Sequence, residues 1–220
     1  MLAIIAAALL CAPYEAEFVG LFTPLEHQFK GQSYRYRLFT PTTDEPKPLL
    51  VWLHGMGEAG DNNFQQLRWL QLVFRPPWER SRFPFFLLAL QTPKDNAAWI
   101  RDEPGKDDMI DVLVGVVEDL LSQYPIDQER IYLSGVSSGG SGCWELALRR
   151  PELFAAGAPI ASSGTSGDLT RCKNIPFWVF HCDDDEITPF QLPQRSVEVL
   201  RSCGGTVHLT TVHSGLHDAW

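Results

Sequence analysis

Gly135-Val136-Ser137-Ser138-Gly139 carries the residue types needed for nucleophilic chemistry. It follows "ERIYL", whose residues favour an extended chain, and leads into "GGSGCWELALRR", where apolar residues fall at helical spacing. A Gly-x-Ser-x-Gly pattern between strand and helix turns the chain so sharply that bulky neighbours would collide, and glycine at 135 and 139 relieves the collision. The hydroxyl is then raised above the sheet at a helix N-terminus. Partial positive charge and free N–H groups at that end favour a developing oxyanion. The short pattern occurs by chance in many chains, and the strand before and helix after make it specific.

A serine hydroxyl is a weak nucleophile near neutral pH. It needs a base, and the base needs a carboxylate to orient it. In a strand–turn–helix setting of this kind the order along the chain is serine, acid, histidine. His208, His213 and His217 follow the last acidic cluster. His208 lies within "TVHLTTV", which reads as a strand, and His213 ends it. His217, in "SGLHDAW", falls on the loop beyond, from which an imidazole reaches Ser137, so position favours it over His213. The acid is expected after the preceding strand, where "HCDDDEITP" offers Asp183, Asp184, Asp185 and Glu186. These carboxylates would repel one another if all pointed inward, so most must be solvated while one turns toward the histidine. Spacing does not choose among them. The cluster lacks the spacing and glycine of an EF-hand, which argues against calcium. An oxyanion needs two donors. One is the backbone N–H of Ser138. The other belongs to "LHGMGEAGDN", where Gly55, Gly57 and Gly60 let the backbone approach and the N–H of Met56 is best placed.

The elements that must carry these groups alternate. "PLLVWLHG" and "FPFFLLALQ" are short apolar runs that suit strands buried on both faces. "SYRYRLFTP" alternates polar and apolar residues as an edge strand does. "DDMIDVLVGVVEDLLSQYP" has an acidic first turn, apolar residues three and four apart, and Pro125 just past its end, which predicts a helix. "NNFQQLRWLQLVF" places Phe64, Leu67, Leu70 and Phe74 at helical spacing. "AAGAPIAS" and "PFWVFHC" read as strands, and "LPQRSVEVLRSC" as a helix before the last strand. Strand and helix in alternation imply right-handed crossovers and a mostly parallel sheet with helices on both faces. Ligands of such sheets bind beyond the carboxyl ends of the strands, where these residues fall.

A chain of 220 residues with 45% apolar content suits one α/β domain. The net charge of −9 and the lack of a basic stripe exclude nucleic acid as a partner. Met1–Cys11 has no charge and is too short for a bilayer-spanning helix. It resembles the apolar part of a secretory signal without the basic flank. Residues 1–12 therefore read as a signal peptide or apolar tail and 13–220 as the folded domain. The expected location is secreted or periplasmic, or cytoplasmic if the segment is only a tail. Ala8-Leu9-Leu10 lacks the small residue that precedes a lipidated cysteine. No cysteine pair has CxxC spacing, so a structural zinc site is not expected. The even number beyond Cys11 permits disulfides, Cys172 with Cys203 among them, while Cys143 on a helix and Cys182 at a strand end suit buried thiols.

Taken in order, "LLVWLHGMGEAGDN", "QTPKDNAAW", "IYLSGVSSGGSGCWELALRRPELFAAGAPIASSG", "PFWVFHCDDDEITP" and "HSGLHDAW" resemble the α/β-hydrolase superfamily. The nearest branch holds carboxylesterases and polyhydroxybutyrate-depolymerase-like enzymes, close to dienelactone hydrolases and phospholipase/carboxylesterases. The likeness runs from about residue 30 onward. It implies a single-domain α/β-hydrolase fold and a serine esterase with Ser137 as nucleophile and His217 as base. The family pattern His-Gly-x-x-Asp-x-x-x-Pro, laid on His181 to Pro189, implies Asp185 as the acid. It supports Met56 and Ser138 as oxyanion donors, and it matches Glu58 to a loop-shaping position and Trp99 to an aromatic near the substrate, though Trp99 also suits a core. No metal or organic cofactor is implied. The expected partner is a small-molecule or polymer-borne ester, with no stable membrane span. Cys182 and Leu216 stand where the family has glycine, so each threatens to crowd the acid or histidine loop, and the terminal helix is expected to be short or absent. The competing readings are a prolyl-oligopeptidase-type peptidase, disfavoured by the lack of a propeller, and a non-catalytic domain of the same fold, disfavoured because no triad member is missing.

Overall fold

The short apolar runs become strands of one eight-stranded sheet in this computed structural model, which describes residues 16–42, 44–74, 80–100 and 104–220. The apolar segment at 1–12 lies outside the described residues. In chain order the strands are β1 (Thr23–Phe29), β2 (Gln32–Phe39), β3 (Lys47–Leu53), β4 (Phe86–Leu90), β5 (Ile126–Val136), β6 (Ala156–Ile160), β7 (Phe177–Cys182) and β8 (Val207–Val212). Their order across the sheet is β1-β2-β4-β3-β5-β6-β7-β8. The two pairs made by β2 are antiparallel and the rest are parallel. The helices are α1 (Leu70–Val73), α2 (Met109–Gln123), α3 (Ser138–Arg149) and α4 (Gln191–Ser202).

β3 and β4 are buried on both faces, as their unbroken apolar sequence predicts. Leu49, Val51, Leu53, Phe86, Leu88 and Leu90 point into the core beneath α2, α3 and α4. Trp52, Leu87 and Ala89 point the other way, against Phe18, Phe22, Leu67, Leu70 and Phe74. A helical turn over 16–20, a 3-10 turn (Gln65–Leu67) and α1 cover that second face. Asp108 caps α2 by accepting from Ile110 N at 2.9 Å. The helix then buries Ile110, Leu113, Val117 and Leu120 along one stripe. Each such side chain stabilises by about 1.5–3 kcal/mol, which outweighs the roughly 1 kcal/mol that Gly115 costs in mid-helix. That glycine lets β1 pack closely, because a Cβ there would lie 2.8 Å from His27 Nε2.

Three sequence expectations need correction. β2 is not an edge strand: it pairs with both β1 and β4, and β1 takes the edge. The hairpin between them turns at Lys30 and Gly31, both at positive φ (46° and 82°). The long helix expected around Phe64–Phe74 is broken into the 3-10 turn and the four-residue α1. Asn62 Oδ1 takes the N–H groups of Phe64 and Gln65, each at 3.1 Å, and thereby restarts the chain there. Leu67, Leu70 and Phe74 are buried as expected, but Phe64 is 46% exposed. Finally, the permitted Cys172–Cys203 disulfide is not formed and both are free thiols, while Cys143 and Cys182 are the buried free thiols expected. Cys172 and Cys203 each donate instead to a carbonyl of their own turn, Leu169 O and Leu200 O.

Candidate active site

The carboxyl ends of β3, β5, β7 and β8 bring the singled-out residues together. Ser137 follows β5 with φ 54° and ψ −119°, and its N–H donates to Ile160 O on β6 at 2.9 Å. A non-glycine residue persists at such angles only where its surroundings leave no alternative. Here they leave none: a Cβ at Gly135 would lie 2.6 Å from Leu53 O, and one at Gly139 would lie 2.1 Å from the same atom. The strand–serine–helix corner is thus wedged against β3.

His217 Nε2 accepts from Ser137 Oγ at 2.9 Å, and His217 Nδ1 donates to Asp185 Oδ2 at 2.7 Å. The Asp185 side chain is fully buried and that of His217 partly so. The other oxygen of Asp185 accepts from Ile187 N at 2.9 Å and Thr188 N at 2.8 Å, so the carboxylate cannot turn away from the ring. Behind it His181 donates from Nε2 to Thr188 O at 2.7 Å, and burial holds that imidazole below its usual pKa, in the neutral form. The ring of Trp220 meets His217 edge to face at 5.5 Å and lies 5.2 Å from Trp69. A hydroxyl bonded to an imidazole that is oriented by a buried carboxylate can pass its proton to the ring as the oxygen attacks.

His213 is elsewhere. Its ring is 80% exposed and pairs with Asp183 at 2.5 Å, a contact that lowers the Asp183 pKa below the ordinary carboxylate value. Neither suspected crowding occurs. Leu216 is 61% exposed, with φ 52°, the backbone reason glycine suits that position. Cys182 is buried against Gly215, where a Cβ would come within 2.6 Å of its sulfur. Among the described residues no helix follows β8.

Ser138 opens α3, so its N–H has no acceptor within the helix. Met56 begins the 3-10 turn after β3, and Gly55 beside it lies against Ser137, since a Cβ there would be 3.7 Å from Ser137 Cβ. His54, which the sequence reading passed over, holds this loop. It is fully buried, and its Nδ1–H donates to Gly55 O at 2.6 Å while its Nε2 accepts from Thr92 N at 3.0 Å. Gly55 O belongs to the same peptide group as the N–H of Met56, so pinning the oxygen fixes where the donor points. A histidine ending an apolar strand was the available signal. Glu58 is buried behind the loop: desolvation raises its pKa, and Arg68 at 3.9 Å opposes the rise. Trp99 donates from Nε1 to His54 O at 2.9 Å and, with Ala98, Ile100, Ser141, Ser163 and Thr188, walls a cavity of about 260 Å³ beside Ser137 and Ser138. Glu58 does not border it.

Burial lowers the His54 pKa to about 4 in the folded chain. The unfolded chain takes up this proton near pH 6.5 and the folded one only near 4. The contribution is therefore complete above 6.5, declines by about 3 kcal/mol as pH falls to 4, and is flat below. A His54→Gln protein removes that titration. Denaturant melts of parent and variant should converge between pH 6.5 and 4, and a constant gap across that range would refute the assignment.

A mostly parallel eight-stranded sheet with the serine corner after its fifth strand and the histidine after its last is an α/β-hydrolase fold. Residues 38–220 match the phospholipase/carboxylesterase family model, and the chain belongs to that family. It is 25% identical over 169 residues to a bifunctional acetylxylan esterase/xylanase of Neocallimastix patriciarum, a match covering 74% of this chain and 23% of that protein. It is 27% identical over 151 residues to feruloyl esterase B of Neurospora crassa, covering 64% and 49%. The crystal structure of a thermostable esterase superposes with a TM-score of 0.82 at 33% identity, covering 92% of this chain and 59% of that one. The chain thus spans under a quarter of the first curated relative and about half of the other. Among the described residues no helix is long and apolar enough to cross a membrane.

Proposed function

We propose that this chain is a serine carboxylesterase. Ser137 Oγ attacks the ester carbonyl while His217 Nε2 takes its proton. Asp185 holds the imidazolium that forms, and the N–H groups of Met56 and Ser138 bind the oxyanion. His217 then protonates the departing alcohol. Water, activated by the same ring, releases the acid from Ser137. The observation that carries this reading is the unbroken line from Ser137 Oγ to His217 at 2.9 Å and from His217 to buried Asp185 at 2.7 Å.

The cavity beside Ser137 supports a compact acyl group. Its volume of about 260 Å³, open to solvent, suits a short-chain or aryl acyl group. An acetyl ester on a polysaccharide, as the name of the acetylxylan esterase/xylanase suggests, and a feruloyl ester, as the name of the feruloyl esterase suggests, suit the same reading.

Two assays together test the proposal. A fluorophosphonate probe should label the parent and not Ser137→Ala. Nitrophenyl acetate, a feruloyl ester and an acetylated sugar should be assayed beside an aminoacyl anilide. Turnover of the anilide alone would replace the esterase with a peptidase, and no labelling of folded parent would remove the enzyme altogether. His213→Ala should keep activity within about threefold, since its exposed ring bonds to Asp183 and not to Ser137.

A further inference from the structure

The aspartate run does more than supply one acid. We propose that Asp184 is the residue that positions the histidine loop, an inference that rests on the esterase reading above. Three adjacent carboxylates grip successive parts of the chain after β8. Asp183 takes His213, and Asp185 takes His217. Between them Asp184 Oδ1 accepts two backbone N–H groups, Gly215 N at 3.1 Å and Leu216 N at 2.8 Å. As the sequence suggests, most of the run meets solvent, with Asp183 and Glu186 exposed, Asp184 half-buried and only Asp185 turned inward, and the separate donors met by Asp183, Asp184 and Asp185 further relieve their repulsion.

The grip matters because the loop is strained. Ser214 and Leu216 both hold positive φ, 57° and 52°, with no glycine at either position. Side-chain-bearing residues keep that conformation only where external bonds impose it. Asp184 bonds the residue between the two strained positions and the second of them, immediately before His217. Released, Gly215 and Leu216 turn their N–H groups to water, and the ring of His217 loses its approach to Ser137. Asp184 touches neither the proposed nucleophile nor the ring, so its effect is on placement alone.

Asp184→Ala should lower kcat roughly 10- to 100-fold, the loss expected from a displacement near 1 Å, with KM little changed. Asp184→Asn keeps an oxygen that accepts both N–H groups, so it should recover most of that loss and leave the pH midpoint of kcat/KM where the parent has it. Hydrogen exchange gives a readout independent of catalysis: the Leu216 amide should be protected in parent and Asp184→Asn and exposed in Asp184→Ala. An asparagine variant as slow as the alanine one would mean that charge, not acceptance, is at work. Alanine activity within threefold of the parent would also overturn the proposal, as would an unprotected Leu216 amide in the parent, which decides the matter even if the alanine variant fails to fold. A parent without Ser137-dependent turnover would sink the esterase reading and leave the exchange result standing.

Discussion

Alanine at 137 should reduce kcat for nitrophenyl acetate by about 10⁴- to 10⁶-fold, the range that follows loss of a serine nucleophile where oxyanion donors and binding groups remain. No neighbour replaces it. His217 Nε2 is held 2.9 Å from Ser137 Oγ and by Asp185 on its far side, so it has one oxygen to activate. Ser138 is next in the chain, but its hydroxyl is buried without a partner. The fold should not notice the change. Alanine carries the same Cβ at φ 54° as serine does, and the corner is held by backbone, through Ser137 N and Ile160 O. The measurement is a steady-state assay of parent and variant at equal protein concentration, with the parent's active sites counted by a fluorophosphonate, beside a thermal melt of each. A variant within tenfold of the parent, at equal Tm, would mean that the oxygen doing the chemistry is not on residue 137.

The largest effect on folding is expected from Gly139→Ala. A methyl group there would sit 2.1 Å from Leu53 O and 2.5 Å from His54 O. Both obstacles are backbone atoms, so no rotamer change relieves the clash. Either α3 lifts away from the end of β3, or β3 shifts within a sheet in which it pairs on both sides. Ordinary overpacking costs about 1–3 kcal/mol because side chains yield. Here backbone must yield, and a loss above about 3 kcal/mol is expected, a large share of the 5–15 kcal/mol that holds a typical domain. Gly57→Ala is the natural control, since nothing lies within 4 Å of the added carbon. Urea midpoints for the two variants and the parent would test this. Equal midpoints for Gly139→Ala and Gly57→Ala would show that the corner is looser than the wedge between β3 and α3 implies.

Local chemistry made a good part of this molecule legible from residues alone. β3 and β4 announce burial on both faces by being apolar throughout. Gly135, Ser137 and Gly139 announce a sharp corner because the Gly-x-Ser-x-Gly pattern between strand and helix is local, although the atoms the two glycines make room for, Leu53 O and His54 O, belong to β3 and the residue after it. His217 is favoured over His213 by lying on the loop beyond the last strand and not at its end. Other features depend on which groups meet across the fold, and spacing carries no trace of them. Four acidic side chains in a row are chemically alike until β8 delivers particular N–H groups to particular oxygens. The role of His54 requires Thr92 from another strand end and the carbonyl next to it. β1, whose exposed alternation barely differs from a loop, becomes a strand only because β2 offers it an edge. The sequence by itself determined the corner and the serine proposed as nucleophile, since the pattern that marks them spans five consecutive residues between a strand and a helix. Only the tertiary structure shows the contacts of Asp184 with the loop after β8 and the free cysteines, and it sets Asp185, which the family pattern already indicated, against His217, because a hydrogen bond is specified by distance in space, and the Ser137–His217 contact alone joins residues 80 apart in the chain.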